Sequence, residues 1–347
     1  MKSRTRLFLV VAIGVLVLGL GTGLLASYGG LTNLGLLGGG SPDDLTYIPA
    51  QAHMVAFANV HDLSTSELRQ KMRGFEPNAN ARNQFEKETG VDIERDIDQV
   101  LVAGWPSDAN STPQGQPLLL ARGRFDTVRI EGIAREHGGQ VEEYKGKRLV
   151  IIDGQPQKIA IGFIEPGLIA AGTSMAIHQA IDTKESNTAS VTSNAEVMNL
   201  IQQAQGGTTW AVARFDSLTA RSLPPQLAQQ LPPINWFSAS GYVDGGIRGT
   251  IRAEAKDEKS AQDLREVVRG FMALARLQAG DKAQFSELVN SLELGGQGKT
   301  VSLEFSVPAN LIDTLGALSA QHRRSQEPNQ NVTPDQPARQ VPATPGA

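Results

Sequence analysis

Residues 301–307 read VSLEFSV, and in this stretch Val301, Leu303, Phe305 and Val307 alternate with Ser302, Glu304 and Ser306. Successive side chains of a strand point to opposite faces, so the spacing predicts one apolar and one wet face, as in an antiparallel sheet. Upstream, Thr208 to Phe215, Trp236 to Val243 and Arg248 to Ala255 also read as strands. Asp257 caps a long helix reaching Gln278, in which Ala261, Leu264, Val268, Phe271 and Ala275 recur at three- and four-residue spacing and are expected to pack on the sheet. A short helix around Gln284 to Leu288, a strand from Leu292 to Leu294 and a last helix from Asn310 to His322 complete this half.

The preceding residues repeat the order of elements without repeating the residues. MVAFANV (Met54 to Val60) and VLVAGW (Val100 to Trp105) are continuous apolar runs of strand length, suited to central strands covered on both faces. Ser64 with Glu67 three residues later has capping-box spacing and predicts a helix from Ser64 to Arg73. A second helix, from about Asn80 to Thr89, is stopped by Gly90. A strand from Pro117 to Arg122 leads to Asp126, the expected cap of a helix ending at His137 before Gly138 and Gly139. Val141 to Tyr144 and Arg148 to Asp153 flank the turn KGK and read as a hairpin. Ile159 to Ile164 and Leu168 to Ala171 flank a Glu165, Pro166, Gly167 turn, and a helix from Ser174 to Thr183 follows. The fold class is therefore α+β: two related halves, residues 44–185 and 186–325, each a mostly antiparallel sheet with helices packed on one face.

Both ends differ from this pattern. Lys2, Arg4 and Arg6 precede a run from Leu7 to Ala26 in which every residue is apolar, Gly or Thr, the length needed to cross a bilayer as a helix. Residues 1–28 are read as a signal-anchor with a cytoplasmic N-terminus, and the rest of the chain is expected outside the cytoplasm, in the periplasm of a bacterial-type envelope. A cleaved signal peptide is the competing reading, with small residues at Ser27 and Gly29, but its apolar core is usually only ~7 to 15 residues. Residues 29–43 are Gly- and Leu-rich and read as a flexible spacer. Residues 326–347, rich in Pro, Gln, Asn and Thr, read as a disordered tail.

The net charge of −4, with acids and bases interspersed, lacks the concentrated basic face that nucleic-acid binding needs. Absence of cysteine excludes disulfides, thiolate metal sites and a cysteine nucleophile. GGQGKT (Gly295 to Thr300) resembles a phosphate loop only superficially: Glu293 stands where the first Gly is required and a strand follows, so it reads as a hairpin turn. GTSMA (Gly172 to Ala176) sits between strand and helix and offers Ser174 as a weak candidate nucleophile. Of its possible histidine partners, however, His178 is one helical turn away and His322 borders the tail, and a helix cap explains Thr173 or Ser174 equally. Asp92, Glu94, Asp96 and Asp98 alternate with other residues and, on an extended chain, would form a carboxylate row that could bind calcium. His53 and His61 bracket a buried strand, and His137 suits a helix C-terminus. Asn110 and Asn331 are sequons.

YIPAQA (Tyr47 to Ala52), GVDIERDIDQV (Gly90 to Val100), LARGRFD (Leu120 to Asp126) and EEYKGKRLVIID (Glu142 to Asp153), in that order, resemble uncharacterised bacterial envelope proteins of a domain-of-unknown-function type, anchored by an N-terminal helix. The resemblance implies an architecture and carries no activity, cofactor or functional residue with it. The expected function is a membrane-tethered, non-catalytic binding or scaffold module of the envelope, without a cofactor, acting on a protein, lipid or envelope polymer. The alternatives are a serine-type hydrolase using Ser174, or a carrier whose sheet curls around an apolar ligand.

Overall fold

The computed structural model describes residues 43–67, 69, 86, 87, 89–105, 116–153, 158–186, 188–215, 231–279 and 283–308. After a 3-10 turn at Asp44–Tyr47 come β1 (Met54–Asn59), α1 (Val60–Thr65), α2 (Ile93–Asp96), β2 (Ile97–Trp105) and β3 (Gln116–Gly123). Next are α3 (Thr127–Glu136), β4 (Gln140–Tyr144), β5 (Lys147–Ile152), β6 (Ile159–Glu165), β7 (Leu168–Thr173) and α4 (Ser174–Glu185). The remainder is α5 (Ala195–Ala204), β8 (Thr209–Arg214), β9 (Ile234–Val243), β10 (Gly246–Ala255), α6 (Glu258–Ala279), α7 (Ala283–Asn290), β11 (Glu293–Gly295) and β12 (Thr300–Pro308).

All twelve strands join one antiparallel sheet in the order β11-β12-β10-β9-β8-β1-β2-β3-β7-β6-β5-β4. The two sheets expected from the sequence are thus one, because β1 pairs on both sides: Met54 lies opposite Gly104 of β2 and Ala213 of β8. Helices cover both faces of the central strands, not one. On one face Val55, Leu101, Leu118 and Leu120 pack against Ile177 and Ile181 of α4 and Val197 and Ile201 of α5. On the other, Met54, Val100, Val102 and Leu119 pack with Val60 of α1 and Ile130 of α3. The reason lies in the strands: β2 and β3 are apolar on both faces, and two apolar faces both have to leave water.

Toward the β12 side the faces differ. Phe237, Ile251, Ala253, Val301 and Phe305 turn to α6 and α7, while the opposite face carries Ser238, Arg252, Glu254, Ser302 and Glu304 in register. The alternation read in residues 301–307 holds at Val301, Phe305 and the exposed Glu304, whereas Ser302 on the expected wet face is buried.

Caps fix the helix starts. Asn59, Asp126, Thr173 and Asn194 each accept a backbone N–H of the first turn of α1, α3, α4 and α5, and Asp257 Oδ1 accepts from Ser260 N at 2.7 Å ahead of α6. The capping box at Ser64 does not form. Ser64 lies inside α1, its hydroxyl donating to His61 O, and Ser66 Oγ accepts Arg69 N instead. Gly90 takes φ +72° and donates to Glu86 O, as its stop role requires. On α6 the buried stripe is Ala261, Leu264, Met272 and Ala275, whereas Phe271 is 41% exposed. Met272 joins the cluster that includes Phe305 and Ile251 of the sheet, and Phe271 stays exposed. α5 was not expected from the sequence at all. The signal-anchor at 1–28, the spacer to residue 42, the helix 310–322 and the tail lie outside the described residues. Among the described residues no helix is long and apolar enough to cross a membrane.

Candidate functional site

Ser174 is the first residue of α4, directly after β7, the strand-to-helix placement the sequence indicated. The junction is nonetheless an ordinary cap and lacks the strain of a nucleophile elbow. Thr173 Oγ1 accepts Ala176 N at 3.1 Å and donates to Gln116 Oε1, and the only non-glycine residue with positive φ among those described is Lys145. His178 is not turned into a base for Ser174. Its ring stacks on Tyr144 of β4 with centroids 4.0 Å apart, and Nε2 sits 3.2 Å from Glu142 Oε1 without hydrogen-bond alignment.

The groups around His178 bind the β4–β5 hairpin to α4. The Tyr144 hydroxyl donates to Asp182 at 2.9 Å, and Lys145 Nζ approaches the same carboxylate at 2.5 Å. The Lys145 ammonium, then the Tyr144 hydroxyl, hold the Asp182 carboxyl below the usual carboxylate range, and Asp182 in turn raises the tyrosine. An acid kept ionised and a phenol kept neutral form a latch.

The carboxylate row at 92–98 does not exist as a row. Residues 93–96 close a helical turn capped by Asp92, whose Oδ1 accepts Glu94 N at 3.0 Å and Arg95 N at 3.2 Å. Glu94 pairs with Arg69, and Asp96 takes a fork from Arg95, which lowers its pKa. The helical turn rotates alternate residues off a common face, which the extended reading required. Asp98 alone lies in β2. No three His, Asp or Glu side chains converge to hold a metal among the described residues.

GGQGKT is a turn between β11 and β12, with Gly296 at φ +95° and Thr300 N donating to Gln297 O. His137 Nδ1 lies 2.9 Å from Ile133 O at the end of α3. His53 leads into β1 and His61 lies in α1, and neither belongs to a group of three metal-holding side chains among the described residues. Asn110, Asn331 and His322 fall outside the described residues.

A different place gathers polar groups. An open groove of about 400 Å³ runs between α5 and the ends of β9, β10 and β12. Glu196, Asn199 and Gln203 of α5 form one wall, facing Trp236 of β9, Glu254 of β10 and Lys299 ahead of β12. Trp236 and Glu254 are cross-strand partners, and Thr300, opposite Glu254, donates to Glu254 Oε1 at 2.7 Å. Gln203 Nε2 donates to Asn199 Oδ1 at 2.8 Å, which presets both amides. Trp236 is 5% exposed and carries the Arg214 guanidinium 5.6 Å from its ring centre. The groove escaped the sequence reading because its wall, α5, did. The signal was present: Asn194 as a cap before Val197, Leu200, Ile201 and Ala204 at helical spacing.

One large antiparallel sheet with helices on it, and an open groove beside α5, define an α+β protein of mixed architecture. The chain belongs to the family described as protein of unknown function (DUF3352), which it matches over residues 9–268. No curated protein matches it. A solved structure, titled crystal form III of TP0453, is similar at TM-score 0.49 and 10% identity, covering 80% of this chain and 99% of that one. Likeness that low transfers neither fold nor function.

Proposed function

We infer that the protein is a membrane-tethered binding or scaffold module acting outside the cytoplasm, without catalysis of its own. In this reading residues 1–28 anchor it, 29–43 are the spacer, 44–325 fold as two related halves, and 326–347 are a solvated tail. The observation that carries a binding role is the groove: open, lined by polar and apolar side chains alike, and built from four separate elements.

The halves are supported by the sheet order. Reading outward from the β1–β8 pair, β1-β2-β3-β7-β6 on one side matches β8-β9-β10-β12-β11 on the other. In each, a helix follows the third strand, and a later hairpin returns its second strand to that third strand. The β4–β5 hairpin extends the first half alone.

Location is tested with the full, C-terminally tagged chain in a two-membrane bacterial host. The expected result is recovery with the membrane fraction and digestion by protease added to spheroplasts. Soluble, protease-sheltered protein would overturn the tether.

A further inference from the structure

The groove floor continues along the sheet as a polar ladder. Beside the Trp236–Glu254 pair lies the Ser238–Arg252 pair, also cross-strand partners, with Ser302 on the far side of Arg252. Ser238 is 3% exposed, and its Oγ and Arg252 Nη1 are both buried with no hydrogen-bond partner. Buried polar groups are nearly always paired, because an unmade hydrogen bond there forfeits about 1–3 kcal/mol of hydration. Two unpaired groups, two residues along β9 and β10 from the groove floor, mark where further hydrogen bonds are wanted.

The chemistry of the lining narrows the ligand. Glu196 and Glu254 only accept hydrogen bonds, Lys299 only donates, and the amides of Asn199, Gln203 and Asn235 do both. Phosphate could satisfy the donors but would face two carboxylates. A polyamine could satisfy the carboxylates but would face the Lys299 ammonium. A lipid tail would meet as much polar as apolar surface and would leave the charged groups of the lining unpaired. A hydroxyl both donates and accepts, so a chain of vicinal hydroxyls can serve both sets at once. A peptide also carries both functions, but peptides are usually held along a strand edge or by apolar pockets, and this groove is a side-chain surface at the ends of paired strands. We propose that the groove between α5 and the β9, β10 and β12 strand ends binds a saccharide segment, with Asn199, Gln203 and Glu254 as its principal hydrogen-bonding residues. This rests on the binding reading above and names its ligand class.

The test uses the full chain in a non-glycosidic detergent, titrated with chitotriose, cellotriose and maltotriose and followed by calorimetry. Saturable binding of at least one trisaccharide is expected, weakened tenfold or more in the exposed-wall double variant Asn199→Ala/Gln203→Ala. Spermidine, inorganic phosphate and a glycine-rich hexapeptide should not saturate. Absence of trisaccharide binding at tens of millimolar, unchanged binding in the double variant, or saturation by one of the other three probes overturns the proposal. The spheroplast experiment does not depend on any of these results, so the ligand class and the tethered placement fail separately.

Discussion

Asp44, 2% exposed in the 3-10 turn before β1, is gripped by the Arg122 fork of β3: Nε lies 3.1 and 2.8 Å from its two oxygens and Nη2 lies 2.5 Å from Oδ1. Arg122 also reaches Glu165 at 2.8 Å, so one guanidinium binds the first turn of the domain to the end of β6. Removing the arginine leaves a buried carboxylate unpaired, which typically costs about 3–5 kcal/mol. Because the Arg122 side chain is itself 30% exposed, Arg122→Ala should sit at the low end, about 3 kcal/mol. Arg122→Lys should recover only part of it, since an ammonium cannot reproduce the fork. Urea unfolding midpoints check both values.

Tyr47 sits in the same cluster, and burial first, then the Glu165 carboxylate, pushes its pKa up to about 12. A phenol whose folded pKa lies above the unfolded value of about 10 adds stability that is complete below pH 10. It is lost as pH rises from 10 through 12. The expected contribution is on the order of 2 kcal/mol. Tyr47→Phe should flatten that alkaline limb, measured by unfolding at successive pH values.

At the other end of the scale, Asp182 is depressed by Lys145 and Tyr144. Its contribution is present above the ordinary carboxylate pKa, near 4, and declines as pH falls through the lower folded value. Asp182→Asn should therefore remove part of the acid sensitivity of the β4–β5 hairpin. Amide exchange in β4 and β5 between pH 5 and 2.5 would show this as a smaller change in the variant than in the parent.

Two glycines should respond to alanine in different ways. Lys145 (φ 48°) and Gly146 (φ 72°) form the two-residue turn of a type I′ hairpin, and a Cβ on Gly146 meets nothing within 4 Å. Gly146→Ala should cost only the left-handed conformation, about 1 kcal/mol. A Cβ on Gly172 would stand 2.4 Å from Pro117 O in the neighbouring strand. Gly172→Ala should destabilise more than Gly146→Ala, because strand backbone has to separate. Thermal melts of the two variants decide the order.

Much of the fold was written locally. The alternation at 301–307, the apolar runs at β1 and β2, the KGK turn and the caps Asp126 and Asp257 each depend on neighbours within a few residues, and each formed as read. The misreadings share another cause. Ser64 and Ser66 both offer a capping hydroxyl, and Asn59 settled the choice by starting α1 earlier. Phe271 lost its place on the sheet to Met272, because the tilt of α6 depends on what it packs against. The union of β1 with β8 left no trace in either segment, since pairing between distant strands is decided by backbone hydrogen bonds that any residue can make. The groove was hidden for the same reason: its walls meet only once the sheet exists.

That union sets an order of assembly. Every strand from β2 to β7 lies in the chain between β1 and β8, so the middle seam closes a long loop while hairpins such as β4–β5 and β9–β10 close short ones. Short loops cost less entropy to close, so the hairpins are expected to form before the seam. Until it zips, two of the most apolar strands each present a bare edge, and crowding of nascent chains would favour seams between molecules over the seam within one.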